Sequence, residues 1–266
     1  MEDQTMKTNY EQLINNFEAL NLHTMAENIS SCIDTITTKK SSVVEALLSL
    51  TEQEIKTQNN NAALACIKVA NFPFIKTFED FDFEFQPSID KESILDFASL
   101  RFLTNKENII FIGPPGVGKT HLSVSIGIEV AKHRNLVYFI SCHELLIRLT
   151  KAYTEQKLEK YIKNLNKYKL LIIDEVGYLP LDTHAANLLF QLVTRRYEKS
   201  SIIFTTNKPL SEWGEVFGDS VIANAILDRI LHHSYVVNIS GKSYRLKNMI
   251  VDNDSNSIQK YNLLRF

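Results

Sequence analysis

The clearest chemical signal in the sequence is a glycine-rich loop made of Gly113, Pro114, Pro115, Gly116, Val117, Gly118, Lys119 and Thr120. An apolar run at 109–112 precedes it and indicates a buried strand, and the apolar residues of 122–131 indicate a helix. Between a strand and a helix, glycines allow several backbone N–H groups to point at one anion. The Lys119 amine could reach the β- and γ-phosphates of a nucleotide, and the Thr120 hydroxyl could bind Mg²⁺. The sequence therefore predicts a phosphate-binding loop.

A pair of acidic residues, Asp174 and Glu175, follows a second apolar run at 170–173. Asp174 could bind Mg²⁺ through water or act through Thr120, and Glu175 could orient or polarise the water that attacks the γ-phosphate. Strands often end in acidic turn residues, so the pair alone would be a weak signal. Downstream of a phosphate loop, it indicates a hydrolytic site.

Three further polar side chains are candidates for phosphate chemistry. Asn207 ends the next apolar strand and could place the attacking water, although it could also be a turn residue before Lys208. Arg229 could reach the γ-phosphate of a neighbouring subunit or form an ion pair with Asp228. Arg245 could make a second phosphate contact, or it could have a structural or DNA-facing role.

The stretch from 148 to 169 is rich in basic residues with interleaved tyrosines, and its candidate DNA-binding residues are Lys151, Lys157, Lys160, Lys163 and Lys167. Such a surface would bind the phosphate backbone without sequence preference. A solvated helix face explains the same pattern equally well. For Arg195 and Arg196, an exposed helix end is favoured over an interface or DNA contact. The histidines show no metal-binding spacing, and His232 and His233 are expected to flank a helix end.

The elements that must position these residues are strands that alternate with helices. The strands are predicted at 109–112, 136–140, 170–174, 202–207 and 235–239, with helices at 144–153, 155–165, 182–198 and 221–231. Continuous apolar strands between helices predict an α/β fold with a parallel sheet covered on both faces. Ligands bind at the carboxyl ends of such strands, where the loop, Asp174 and Asn207 all fall.

The N-terminal part of the chain shows only helical patterns, from residue 8 to about 70, and predicts a small helical module. Three asparagines at 59–61 suggest a bend in its last helix. The alternating aromatic residues of 78–87 predict an extended segment whose rings pack on the main core, or else an aromatic wall for an adenine. Residues 88–104 predict one helix.

The bulk composition is that of a globular protein, with 266 residues, 44% hydrophobic residues, 23% charged residues and a net charge of -2. Any affinity for nucleic acid must therefore come from a local patch. The three cysteines form no metal or redox motif. No apolar stretch approaches the length of a membrane span and the polar start is unlike a signal peptide, so we expect a cytoplasmic protein without a membrane partner.

Six segments together closely resemble the IstB-like transposition helper ATPases, which belong to the AAA+ superfamily beside the DnaC-type helicase loaders. They are GPPGVGKTHL, LLIIDEVGYLPLD, ANLLFQLVTRRYE, NKPLSEWGEVFGD, ILDRILHHS and GKSYRLK. The resemblance extends from the helical N-terminus to about Lys247. The long NKPLSEWGEVFGD segment makes it specific to this family.

The resemblance implies a P-loop AAA+ core with a small all-helical N-terminal domain. The expected division is a partner-binding domain at 1–70, a linker at 71–87, an ATPase domain at 88–250 and a tail at 251–266. Residues Gly113–Thr120, with His121, match the first nucleotide motif, and Asp174 and Glu175 match the second. Asn207 matches the first sensor, Arg229 the arginine finger that acts across a subunit boundary, and Arg245 a second sensor.

The function that the resemblance implies is Mg²⁺-dependent ATP hydrolysis by a homo-oligomer assembled on duplex DNA. Such a protein selects or remodels target DNA and recruits or stimulates a partner transposase. The basic stretch lies where related initiator proteins carry an inserted DNA-binding element. The alternatives are a loader of a replicative helicase and, more remotely, an ATP-switch binding module or a small-molecule kinase.

Overall fold

A five-stranded parallel sheet is the scaffold of the larger part of the chain. The computed structural model describes residues 2–39, 41–178 and 181–247, and the chain divides into two compact units, residues 1–65 and 66–266. The strands are β1 (Asn108–Ile112), β2 (Val137–Ser141), β3 (Leu170–Val176), β4 (Ser201–Thr206) and β5 (Ser234–Asn238). Their order in the sheet is β2-β3-β4-β1-β5, and all neighbours are parallel. The predicted α/β fold with a parallel sheet is confirmed.

Alternate strand residues enter two separate hydrophobic cores, as the period of two in a strand requires. In β1, Ile110 belongs to one core, whereas Ile109 and Phe111 belong to the other. The first core lies under α7 (Cys142–Thr154), α8 (Leu158–Leu165), α9 (Thr183–Arg196), α10 (Trp213–Val216) and α11 (Ser220–Leu231). The second lies under α6 (Lys119–Lys132) and the segment 70–103. Both faces are buried, which explains the continuous apolar strand sequences.

Three of the longer helices of the larger unit begin at side chains that accept hydrogen bonds from free backbone N–H groups. Ser141 accepts a hydrogen bond from the Glu144 N–H at α7, Asp182 from the Ala185 N–H at α9, and Asp219 from two N–H groups at α11. The main helices of this unit thus begin within a few residues of their predicted positions.

The segment before β1 differs from the sequence prediction in two places. The aromatic residues are not extended: Phe78–Asp80 form a 3₁₀ turn, closed by Asp80 Oδ2 accepting from the Thr77 N–H at 2.8 Å. Their rings nevertheless pack on the second core, with Phe78 buried and Phe81 half-buried.

The single helix predicted over 88–104 is also wrong, because Leu100 has a φ of 59° and breaks it. The structure has α4 (Lys91–Asp96), a 3₁₀ turn at Phe97–Ser99 and α5 (Arg101–Asn105). In one straight helix, Phe97 and Phe102 would point about 140° apart. The break brings both rings into the core, with centroids 5.9 Å apart.

The smaller unit consists of helices, as expected: α1 (Glu2–Ala19), α2 (His23–Lys39) and most of α3 (Val43–Val69). Its small core contains Met25, Ile29 and Leu50. The bend predicted at 59–61 is wrong because α3 is continuous there. Each asparagine costs a helix at most about 0.7 kcal/mol relative to alanine, which is too little to break it.

The predicted C-terminal tail and the predicted absence of a membrane span can be compared with the structure only in part. The tail predicted at 251–266 lies outside the described residues. Within the described ranges, none of the helices combines the length and apolarity needed to cross a membrane.

Candidate nucleotide-binding site

The phosphate loop, residues 113–120, joins the end of β1 to the start of α6. Gly116 and Gly118 have φ angles of 81° and 102°, in the left-handed region that favours glycine. A Cβ atom on Gly118 would lie 2.4 Å from Cε2 of Phe81, so glycine is also required by space. The glycines let the loop curl ahead of α6, whose first turn offers its free N–H groups to an anion.

The Lys119 amine lies across the loop. Its Nζ donates to the carbonyl oxygens of Gly113 at 2.7 Å and of Pro114 at 2.8 Å. Burial lowers the pKa of this amine, Arg245 adds to that effect, and Asp174 opposes it. The amine is therefore held beside the loop by two backbone acceptors that a phosphate group can replace.

The Thr120 hydroxyl and the Asp174 carboxylate meet beside the loop. Thr120 Oγ1 is 3.1 Å from both Asp174 oxygens, and Asp174 is 6% exposed. Burial raises the pKa of Asp174, although hydrogen bonds from Thr205 and Thr120 act in the opposite direction. A buried carboxylate beside a hydroxyl is an oxygen donor set that suits Mg²⁺, which binds through one or two carboxylates and keeps several waters.

Thr205 of β4 is a site residue that the sequence analysis missed. Its buried hydroxyl donates to Asp174 Oδ1 and accepts from the Glu175 N–H at 2.9 Å. Because Glu175 has a φ of 61° beside an irregularity in the β3–β4 pairing, this contact supports a strained backbone. The Glu175 side chain is exposed at the carboxyl end of the sheet. The sequence does show a hydroxyl residue directly after the apolar run 202–204. Assigning it to the site, however, requires knowing that β4 lies next to β3 in the sheet.

Two other predicted residues lie near the loop. The half-buried Asn207 directly follows β4, whose last residue, Thr206, accepts a hydrogen bond from the Gly113 N–H at 3.1 Å. His121 Nε2 donates to the Thr77 carbonyl at 2.9 Å, and burial lowers the pKa of its ring. The His121 ring also lies edge-on to Phe81, with centroids 5.2 Å apart. His121 is therefore held by the aromatic segment before β1.

The segment that carries Arg245 packs against the phosphate loop. The Tyr244 N–H donates to the Gly116 carbonyl at 2.8 Å, and Ser243 Oγ would lie 2.0 Å from a Cβ on Gly116. Gln86 Nε2 donates to the Lys242 carbonyl at 2.8 Å, which ties the same segment to the chain before β1. The exposed Arg245 is close enough to Lys119 to affect its pKa.

Comparison with known proteins agrees with this geometry. Residues 15–251 match the model of the family described as IstB-like ATP binding protein. This chain belongs to that family.

Relatives of this IstB-like protein include ATP-binding proteins of insertion sequences. The putative ATP-binding protein of insertion sequence IS232 from Bacillus thuringiensis subsp. berliner is 53% identical over 242 residues, which cover 91% of this chain and 97% of the relative. The corresponding protein of IS21 from Pseudomonas aeruginosa is 42% identical over 228 residues, which cover 86% of each chain.

Solved structures with the same fold include DnaI and DnaA. DnaI has a TM-score of 0.51 at 22% identity, with 62% of this chain and 90% of DnaI covered. AMPPCP-bound DnaA from Aquifex aeolicus also has a TM-score of 0.51, at 19% identity, with 69% of this chain and 56% of DnaA covered. These similarities support the AAA+ fold of the IstB-like core. The recognised family and the ATP-binding P-loop core are thus confirmed.

Arg229 of the IstB-like protein lies far from its own phosphate loop. Together with Asn108 and Ile202, it lines a small cleft where β1 and β4 begin, whereas the loop follows the other end of β1. At about 3.3 Å per residue, this strand separates the two by roughly 13 Å. The guanidinium stacks on the Phe190 ring at 4.7 Å and donates to the Ala225 carbonyl. In the described part of the chain, it forms no ion pair with Asp228.

The basic stretch forms an exposed surface around α8. All five candidate lysines are exposed, and Lys151 and Lys157 lie 3.9 Å and 2.9 Å from Glu155 oxygens. Lys160 and Lys163 line a surface cavity of about 410 Å³ together with Arg195. This arrangement leaves a basic surface whose charge is partly compensated.

The interpretation of Arg196 as an exposed helix end is wrong, whereas Arg195 is exposed. Arg196 is fully buried, and its guanidinium donates to the carbonyl oxygens of Leu165, Tyr168 and Ser201 at 2.9–3.0 Å. Burial lowers its pKa to about 9, which leaves it protonated at neutral pH. Arg196 therefore ties the end of α8 and the residues before β3 to the start of β4, and it is not available to DNA.

Proposed function

We propose that this IstB-like protein hydrolyses ATP in a Mg²⁺-dependent homo-oligomer on duplex DNA, where it prepares target DNA and recruits or stimulates a partner transposase. The observation that carries the assembly part is the position of Arg229, at the opposite end of the sheet from the phosphate loop of the same chain. A subunit that needs this guanidinium at its γ-phosphate must receive it from a neighbour.

In the proposed reaction, the Lys119 amine leaves the two loop carbonyls and contacts the β- and γ-phosphates. Thr120 and Asp174 would hold Mg²⁺, which would supply positive charge to neutralise the phosphate oxygens. Glu175 orients the attacking water from its fixed backbone, and Asn207 contacts that water or the γ-phosphate. Arg245 lies on the segment beside Gly116 and makes the second phosphate contact from within the same chain.

The arginine finger is tested by mixing two inactive variants. Arg229→Ala and Lys119→Ala subunits each lack one half of a composite site, so their mixture contains some sites with both halves intact. ATPase activity of the mixture should exceed the sum of the two separate activities. If no mixing ratio exceeds that sum, Arg229 does not act across the subunit boundary.

DNA binding is assigned to the exposed lysines of the basic surface. Lys160, Lys163 and Lys167 form no ion pair among the described residues, so they are the better phosphate ligands, and Lys151 and Lys157 are partly neutralised by Glu155. Replacing the first three with alanine should weaken duplex binding and reduce its salt dependence. Fluorescence anisotropy at several salt concentrations measures both. An unchanged salt slope would exclude this surface.

The partner is tested with the full chain carrying Glu175→Gln and saturated with Mg-ATP. Co-purification with a partner transposase, and not with a replicative helicase, is the expected result. Retention of the helicase alone would favour the helicase-loader alternative and would leave the ATPase proposal unaffected.

A further inference from the structure

Three side chains with metal-binding atoms meet on the surface at the ends of α9 and α11. Glu198 lies two residues after α9, and His232 and His233 directly follow α11. Glu198 Oε1 is 3.9 Å from His232 Nδ1 and 3.8 Å from His233 Nε2. One ligand atom from each of the three residues lies within 4.8 Å of the others. The two histidines flank a helix end as the sequence suggested, but only the fold brings Glu198 to them.

The backbone beneath this cluster is fixed by hydrogen bonds. The His232 N–H donates to the Asp228 carbonyl at 3.2 Å, and the His233 carbonyl accepts from the Asn108 N–H at 2.8 Å, at the start of β1. On the other side, the Lys199 N–H donates to the Arg196 carbonyl at 2.9 Å. The three ligands therefore project from a preorganised base, and only their exposed side chains need to adjust.

The chemistry of the donor set selects a class of metal ion. Two imidazoles and one carboxylate form the three-ligand set of open zinc sites, in which water occupies the fourth position. Zinc binds these ligands at about 2.0–2.2 Å, which sets ligand atoms roughly 3.3–3.6 Å apart in a tetrahedral site. Rotation of the exposed side chains must therefore shorten the present separations, which are 3.8 Å and 3.9 Å from Glu198 and at most 4.8 Å overall. Tyr197 Oη lies 2.8 Å from His232 Nδ1, the nitrogen that faces Glu198, so this hydrogen bond must be released when that nitrogen binds the ion.

We propose that Glu198, His232 and His233 form a binding site for a divalent transition-metal ion of the zinc class. The ion connects the end of α9 to the end of α11. These are also the helices that hold Phe190 and Arg229, whose ring and guanidinium stack at 4.7 Å. The site is separate from the Mg²⁺ site proposed at Thr120 and Asp174, because it lies where β1 begins and not where β1 ends.

The test measures binding of Zn²⁺ to the metal-free full chain by equilibrium dialysis, with millimolar Mg²⁺ present and no nucleotide. One Zn²⁺ per chain is expected at this site, and Co²⁺ should give the visible absorption of a four-coordinate site. Glu198→Gln and His233→Gln should each weaken binding at least tenfold. Their circular dichroism and melting temperature in EDTA should equal those of the wild type, since all three residues are exposed.

A matched control is the exposed pair His23 and Glu18, whose Nδ1 and Oε2 atoms lie 2.7 Å apart without a second histidine in contact among the described residues. His23→Gln should leave the Zn²⁺ affinity and stoichiometry unchanged. Equal binding by the wild type and the Glu198→Gln and His233→Gln variants would overturn the proposal, as would wild-type binding that Mg²⁺ abolishes. Loss of binding in His23→Gln alone would place the ion elsewhere and would also overturn it.

Discussion

Replacement of Thr205 by valine tests whether a buried hydroxyl holds the hydrolytic residues in place. Valine keeps the shape of the side chain but removes the donor to Asp174 and the acceptor for the Glu175 N–H. A hydrogen bond to a charged group contributes about 1.5–3 kcal/mol, and an unpaired buried N–H costs about 1–3 kcal/mol. If about 2 kcal/mol of this loss falls on the transition state, kcat should decrease roughly 30-fold.

The assay is steady-state ATP hydrolysis as a function of ATP and Mg²⁺ concentration, with nucleotide binding measured in parallel. The KM for ATP should change little because the loop and Lys119 remain, whereas the Mg²⁺ requirement should rise because Asp174 loses a hydrogen bond that lowers its pKa. Thr205→Ser retains the hydroxyl and should restore most of the rate. The reasoning is refuted if Thr205→Val keeps the wild-type kcat and Mg²⁺ requirement, or if the serine variant is as slow as the valine variant.

Three further predictions use the same measurements of turnover and stability. Glu175→Gln should bind ATP and DNA normally but lose turnover, because its amide cannot act as a base; an unchanged ATPase rate excludes that role. Arg196→Met should reduce the free energy of unfolding by about 3–5 kcal/mol, because three buried carbonyl groups lose their hydrogen-bond donor. Urea titrations measure this change, and the exposed control Arg195→Ala should alter the same free energy by less than about 1 kcal/mol. Since burial raises the pKa of Asp174, the ionised carboxylate destabilises the folded state and stability is lost as pH rises through that pKa. Nucleotide-free Asp174→Asn should therefore melt above the wild type near pH ~7.5, with a difference that shrinks towards the ordinary aspartate pKa of about 3.9; a difference independent of pH contradicts this.

The sequence predicted the features of the fold and site that follow from local residue patterns and from the general geometry of parallel sheets. Thr120 and Asp174 could be placed together because a loop after one strand and a residue at the end of another share the carboxyl edge of the sheet. Thr205 could not be assigned, since its role requires β4 to be the neighbour of β3. Arg196 was misjudged because a cation at a helix end is usually solvated, and only the packed structure supplies its three carbonyl partners. The break at Leu100 likewise follows from the burial of two rings, not from the local sequence.

Lys119 and Arg229 lie at opposite ends of the sheet, and this separation bears on when the proposed ATP hydrolysis can occur. The Lys119 amine already lies beside the loop, and ATP exchanges its two carbonyl contacts for phosphate contacts, so binding requires no second subunit. In the proposed reaction, the missing contribution is the Arg229 charge, and an arginine finger accelerates phosphoryl transfer by about 10³–10⁵, or roughly 4–7 kcal/mol. A subunit alone would therefore bind ATP and hold it. If hydrolysis depends on a neighbour, as we propose, assembly on DNA would determine when the nucleotide is cleaved, and the bound triphosphate would mark a site until a partner arrives.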